Sequence, residues 1–307
     1  MFSIYILTHN EELEIAACIE SALLSDDVIV VDSCSSDRTR EIAQHYPVRV
    51  VQHPFESHGK QRTWMLESIA PKHDWVYILE ADERMTPALF QECLDVMQSQ
   101  LSQANRDSQA NRDSQTIGYY VAERVMFMGR WIRHCTQYPR YQLRFFRHGQ
   151  VWFTDYGHTE REVCQGKTGF LRETYPHYTC GKGFSRWIEK HNRYSTDEAT
   201  ETLRQLESGS INWRHLLFGA TEVERRRALK DLSLRLPGRP IVRFVYMYVF
   251  LGGCLDGKAG FTWCVLQAFY EYLILLKVWE MRYLPVPTLE TLPRPTVFQT
   301  SELIRHT

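Results

Sequence analysis

Short apolar runs alternate with amphipathic stretches through the first hundred residues. Residues 3–7 form an apolar run of strand length. Residues 11–24 then place Leu13, Ala16, Ala17, Ile19, Leu23 and Leu24 at helical spacing. Residues 28–31 predict a second strand ending at Asp32. Ser36 and Asp37 stand where a helix N-cap belongs, and residues 39–45 continue as a short helix. Residues 48–51, 59–70 and 75–79 repeat the order strand, helix, strand. Strands that are apolar throughout are buried on both faces, which implies a parallel sheet covered by helices. Ligands of such sheets bind beyond the carboxyl ends of the strands. Here those ends read Thr8-His9-Asn10, Asp32-Ser33 and Glu80-Ala81-Asp82-Glu83, all polar and two of them acidic.

A helix is expected over residues 87–97. The hexapeptide Ser-Gln-Ala-Asn-Arg-Asp then occurs twice in succession from Ser102. It has no face to bury, so residues 101–116 read as a disordered, non-catalytic surface loop. Strands are expected over 119–125, 142–146 and 151–153, with a polar segment at 155–162. Arg144 and Arg147 read as an exposed strand face. Residues 183–206 predict a helix with Phe184, Trp187, Ile188 and His191 on one side.

The last third changes character. Arg225, Arg226, Arg227, Lys230, Arg235, Arg239 and Arg243 set seven cations against Glu222, Glu224 and Asp231, a local excess of four. Apolar and aromatic stretches follow at 241–255 and 261–279, interrupted by Arg243, Asp256, Lys258, Gln267 and Glu271. Neither is a clean run of about 20 apolar residues. The pattern suits core helices with a solvated basic face, and equally helices lying on an anionic membrane surface. Four prolines in 285–295 make an extended tail. The expected organisation is a catalytic domain over 1–210, a helical basic and aromatic region over 211–284, and a tail over 285–307.

Composition narrows the function classes. The 307 residues are 44% hydrophobic and 24% charged, which is ordinary for a globular chain. The net charge of −1 gives no bulk attraction for nucleic acid. Eight scattered cysteines without a C-x-x-C pair suggest a reducing compartment. The first apolar run is too short, and lacks the basic start, for a signal peptide. A cytoplasmic location is therefore expected.

Several residues can carry chemistry. Glu80 and Asp82 follow an apolar strand, where carboxylates can hold Mg²⁺ or Mn²⁺ whose remaining ligands are phosphate oxygens and water. A solvated turn capping the next helix would look the same. Asp32 can accept hydrogen bonds from a base or ribose, and Thr8, Asn10 and Glu11 can line the same pocket. Asn10 also suits an N-cap. Lys60 and Arg62 open a helix whose first turn can meet phosphate, or is simply basic.

Together these segments resemble a family 2 glycosyltransferase, an inverting enzyme of the α/β GT-A fold. The matching pieces are residues 4–12 (Ile-Tyr-Ile-Leu-Thr-His-Asn-Glu-Glu), 28–39 (Val-Ile-Val-Val-Asp-Ser-Cys-Ser-Ser-Asp-Arg-Thr), 59–62 (Gly-Lys-Gln-Arg) and 79–83 (Leu-Glu-Ala-Asp-Glu). Residues 243–272 look like the C-terminal region of the lipopolysaccharide-core glucosyltransferase branch, which is cytoplasmic and associates with the inner membrane. The resemblance implies a nucleotide-sugar donor, a glycan or lipid-linked acceptor, Mn²⁺ or Mg²⁺, and transfer with inversion. Asp32 would hold the nucleoside. Asp82 matches the second acid of the D-x-D motif, and Glu80 replaces the first. A general base is expected in 155–162, with Glu160 first, Asp155 second and Glu162 third; His158 would orient a carboxylate, contact diphosphate or simply be a hydrogen-bonded loop residue, and acids on a solvated turn are the alternative reading of the segment. The rivals are a sugar-nucleotide nucleotidyltransferase, which usually has a glycine-rich loop after its first strand, and an inactive glycan-binding or membrane scaffold protein of the same fold.

Overall fold

The computed structural model describes residues 1–104, 116–156, 159–208 and 238–284. Its centre is a mixed sheet. Strands β1 (Ser3–Thr8), β2 (Val28–Asp32), β3 (Arg49–Gln52) and β4 (Trp75–Glu80) run parallel in the order β4-β1-β2-β3. Beyond β4 the sheet turns antiparallel through β7 (Tyr141–Arg147) and β5 (Thr116–Phe127). The latter also pairs with a two-residue strand, β6 (Arg130–Trp131). The outer strand β10 (Lys167–Tyr178) runs parallel to β5. The remaining pair, β8 (Val151–Tyr156) and β9 (Thr159–Cys164), forms a separate antiparallel hairpin.

The continuous apolar strands are covered on both sides, as their pattern required. Ile4, Ile6, Val30, Tyr77 and Leu79 face one layer, made by α1 (Ile15–Ala22), α2 (Thr39–Gln44) and α4 (Pro87–Ala104). Tyr5, Ile29, Val31, Val76 and Ile78 face the other, made by α3 (His58–Ser68) and the β8–β9 hairpin. Each fully buried aliphatic side chain contributes about 1.5–3 kcal/mol.

Some boundaries differ from the sequence pattern. The first helix covers Ile15–Ala22 only. Its buried stripe is Ile15, Cys18, Ile19 and Ala22, while Leu13, Leu23 and Leu24 are exposed. The preceding turn is held by the Glu14 and Ile15 amides on the Glu11 carbonyl. Helix α4 continues to Ala104, into the start of the hexapeptide repeat; residues 105–115 lie outside the described residues. The polar segment 155–162 contributes the facing ends of β8 and β9, and His158 lies outside the described residues. Strand β10 was not anticipated, because its polar and aromatic residues do not alternate cleanly.

Helix α5 (Gly183–Ser208) buries Trp187 but leaves Phe184 and Ile188 exposed, so its inner face is not the expected one. After residues 209–237, which lie outside the described residues, come α6 (Arg239–Val245), a π-helical turn (Tyr246–Phe250), a 3₁₀ turn (Gly253–Asp256) and α7 (Gly257–Tyr283). A third apolar cluster joins them to the sheet through Phe127, Ile132, Cys135, Met247, Ala259 and Cys264. Asp256 pins the junction: its carboxylate accepts the backbone amides of Arg133 (3.1 Å) and His134 (3.0 Å). The basic run at 225–235 and the tail at 285–307 also lie outside the described residues. Of the remaining two basic-segment cations, Arg239 is turned inward onto Glu271 of α7 (2.7 Å), so it is not part of a solvated basic face.

Candidate active site

The carboxyl ends of β1, β2 and β4 stand side by side. The register pairs Thr8 with Asp32 and Leu7 with Glu80, and the Ala81 amide bonds to the Leu7 carbonyl. The acid turn after β4 is then locked from the far side of the sheet. The Tyr178 amide donates to the Asp82 carbonyl (2.8 Å), and the Arg84 amide to the Pro176 carbonyl (3.1 Å). The end of β10 therefore fixes the turn that carries Asp82.

Two ion networks grow from this turn. In the first, Arg62 of α3 bonds Glu80 (2.7 Å) and pairs with Glu160 (2.9 Å). Arg144 of β7 reaches Glu83 (2.5 Å) and Glu80 (3.4 Å). Arg144 is wholly buried, so it does not lie on an exposed strand face; its charge answers the buried carboxylate of Glu83 and the partly exposed one of Glu80. Burial favours a protonated Glu80, but the Arg144 and Arg62 guanidinium groups outweigh it and hold Glu80 well below the usual carboxylate range. Arg147, by contrast, lies over the Trp75 ring at 5.3 Å.

In the second network, His177 of β10 bridges two acids. Its Nε2 is 3.3 Å from Asp82 Oδ2 and its Nδ1 is 3.2 Å from Glu123 Oε2. Glu123 also pairs with Arg140 (2.5 Å). Burial opposes the imidazolium, yet the two carboxylates raise His177 well above the ordinary histidine value. Asp82 is also pulled both ways: burial raises it and His177 lowers it, with a net lowering.

Asp82 and His177 line a cleft of about 900 Å³ between the sheet edge and the C-terminal helices. Asn10 and Glu11 line it too. Asn10 is tied to the loop after β2, receiving the Ser36 amide at its side chain (2.8 Å); it does not cap α1. Glu11 pairs with Lys182 (2.5 Å), and burial, with the nearby Asp82 charge, pushes it up to about 7. The other lining acids are answered in the same way: Glu14 by Arg84 and Glu189 by Arg186.

The remaining sequence-predicted residues are placed elsewhere. Asp32 is fully buried, and its carboxylate accepts the Ser35 amide (3.1 Å), the Ser35 hydroxyl and the Gln52 amide (2.9 Å). It holds its own loop and does not line the cleft. Thr8 is buried, with its hydroxyl unpartnered among the described residues. Lys60 points outward and pairs with Glu56 (2.7 Å). The α3 N-terminus is already answered by an acid, since Asp155 accepts the Gly59 amide (3.1 Å) and the Ser57 hydroxyl (2.8 Å), so it is not open to phosphate. Glu162 accepts the Tyr120 hydroxyl (2.7 Å). Of the three acids in 155–162, Glu160 alone carries a buried oxygen, Oε2, without a partner among the described residues. Burial raises its pKa, with Arg62 opposing.

These positions bear on the metal. Among the described residues no group of three His, Cys, Asp or Glu side chains is placed to hold an ion. Mg²⁺ and Mn²⁺ need fewer, because substrate phosphates and water complete their shell. Asp82 fits that role, since it faces the cleft and only its Oδ2 is hydrogen-bonded among the described residues. Glu80 is less open, because it does not line the cleft and its Oε1 already serves two guanidinium groups, which leaves only Oε2 for a ligand. Sequence reading missed His177, Glu123 and Arg140. No motif marks them, and their strands meet the acid turn only on folding.

A three-layer α/β sheet with an acid turn opening from its carboxyl edge into a cleft is the arrangement in which proteins of this fold class bind ligands. Residues 3–159, just over half of the chain, match the family described as Glycosyl transferase family 2, and the chain belongs to that family. The chain is 25% identical to the lipopolysaccharide core biosynthesis glycosyltransferase LpsC of Rhizobium meliloti over 285 residues, 91% of this chain and 92% of that protein. It is 36% identical to an uncharacterized glycosyltransferase of Rickettsia bellii over 219 residues, 66% of this chain and 68% of that one. Among solved structures, S. aureus TarS 1-349 in complex with UDP aligns with a TM-score of 0.41 at 14% identity, covering 92% of this chain and 91% of that chain. A likeness of that size carries no weight of its own.

Proposed function

We propose that the protein is an inverting hexosyltransferase that uses a nucleoside-diphosphate sugar, such as UDP-glucose, and delivers the sugar to a lipopolysaccharide-type or lipid-linked glycan. The observation that carries this reading is Asp82, held by His177 at the mouth of the cleft on a strand end of a family 2 sheet. The LpsC relative supports the acceptor class. Asp82 would hold Mn²⁺ or Mg²⁺, which when bound offsets the charge of the diphosphate leaving group. Asn10 and Glu11 would border the nucleoside side of the cleft, and the buried Thr8 and Asp32 would reach it only if their loops opened, with Asp32 exchanging its Ser35 and Gln52 bonds for ligand. In the transfer, the acceptor oxygen bonds to the anomeric carbon as the bond to the diphosphate oxygen breaks. The acceptor proton would go to Glu160, which does not itself line the cleft and would have to be exposed to it, and whose buried Oε2 has no hydrogen-bond partner among the described residues. Glu11 is the second candidate base, because it lines the cleft with Asp82 and sits near neutrality.

The helical region adds a location. Helix α7 spans about 40 Å at 1.5 Å per residue. The segment Gly253–Tyr283 is long and apolar enough to cross a membrane, and 22% of its most apolar window is buried. Exposed Ile241, Phe250, Leu255 and Trp279 supply apolar and aromatic contacts, and exposed Lys258 and Arg282 lie on the same helical region. This surface supports a cytoplasmic protein lying on the anionic inner face of the membrane.

The test is direct. Purified protein with Mn²⁺ should release UDP from UDP-glucose, or transfer its glucose, and Asp82→Ala should abolish turnover while circular dichroism shows an intact fold. Full turnover in the folded variant would refute the assignment.

A further inference from the structure

The charges lining the cleft do not cancel evenly. Glu11, Glu14, Asp82, Glu123 and Glu189 each face an internal cation. Lys190 and Arg193 of α5 and Arg243 of α6 line the same cleft, and none forms a direct ion pair among the described residues, although the Lys190 charge is felt by Glu11 and Asp82. Arg243 also buries its Nε without a hydrogen-bond partner. Such a donor, kept from water, is satisfied at least cost by an anion.

The same wall is aromatic. Tyr194 lies 5.6 Å from Lys190 Nζ and 5.8 Å from the Arg193 guanidinium. Trp187 is buried with its ring stacked on His191 at 3.7 Å between centroids, so the faces left to the cleft are those of Tyr194 and of Trp263 on the facing helix. Flat faces with polar rims suit sugar rings, which pair an apolar face with hydroxyl edges. The donor diphosphate does not account for the excess cations. Its two negative charges are offset by a divalent ion at Asp82, and the Asp82 charge by His177.

We propose that the α5–α6 wall is the acceptor subsite and that it selects an anionic glycan, one bearing phosphate or carboxylate groups close to the hydroxyl that receives the sugar. The assignment rests on the transferase reading and narrows its substrate class. Lys190 and Arg193 attract the acceptor's negative groups, and Arg243 meets them at the buried end.

The probes are deacylated lipopolysaccharide core oligosaccharide, native or with its phosphates removed and carboxylates amidated, and UDP with Mn²⁺. Calorimetric titration of the full chain should show the native oligosaccharide binding at least tenfold tighter than the neutralised one. The exposed pair K190Q/R193Q should remove most of that difference and keep UDP affinity within twofold. R243Q, checked for folding by thermal denaturation, should act in the same direction. Equal affinity for the two oligosaccharides would overturn the proposal. So would a matching loss of UDP affinity in K190Q/R193Q, which would give these cations to the donor. Wild-type protein that binds no UDP would instead bring down the transferase reading, and this subsite with it.

Discussion

Glu160 and Asp82 illustrate how one functional group, the carboxylate, takes different roles. Asp82 is held ionised by His177, whereas burial raises Glu160 despite Arg62. A lowered carboxylate suits a cation ligand, and a raised one suits proton acceptance. A base works only when deprotonated, so kcat/KM for transfer should rise with pH along a limb above the usual carboxylate range. Glu160→Gln should lower kcat by about 10²-fold or more and remove that limb, with UDP affinity retained. If Glu11→Gln gives this result and Glu160→Gln does not, the base is Glu11. At this scale the sequence was only partly legible. Asp82 was visible because it directly follows an apolar strand. His177 was not, because it stands 95 residues away and no local pattern links the two.

The β8–β9 hairpin shows how an element positions a side chain. It lies against the first turn of α3, where Gly59 leaves no room for a side chain. A Cβ there would come within 2.8 Å of the Asp155 nitrogen and the Thr154 carbonyl carbon. Gly59→Ala should therefore push the hairpin away, at a cost of roughly 1–3 kcal/mol in urea denaturation. It should also separate Glu160 from Arg62, so transfer should fall further than the stability loss accounts for. The same contact explains why Asp155 read as a candidate base from sequence. An acid in a polar segment looks free until the helix end it caps is brought beside it.

For the whole molecule, the C-terminal helices form one wall of the cleft and also carry the exposed apolar surface. Phe250 and Leu255, in the π-helical turn and the 3₁₀ turn that follows it, are 75% and 71% exposed. Vesicles containing phosphatidylglycerol should retain the protein on flotation, and added salt should weaken the binding. F250S/L255S should weaken it by about tenfold or more, since each inserted side chain contributes about 1.5–3 kcal/mol. Equal flotation of variant and wild type would remove this face from the membrane contact.

The order of strands and helices in the first hundred residues, the crevice beyond β1 and β4, and the acid turn that opens into it were readable from the chain alone. Run length and periodicity are local properties, and a buried parallel strand announces itself by the absence of polar alternation. Folding decided which charges are spent on structure and which remain for a ligand. Asp32 went to its own loop, Glu80 to two arginines and Asp155 to a helix end, while Asp82 kept its opening onto the cleft. A charge is answered by whatever comes near it in space, and a sequence does not carry that distance.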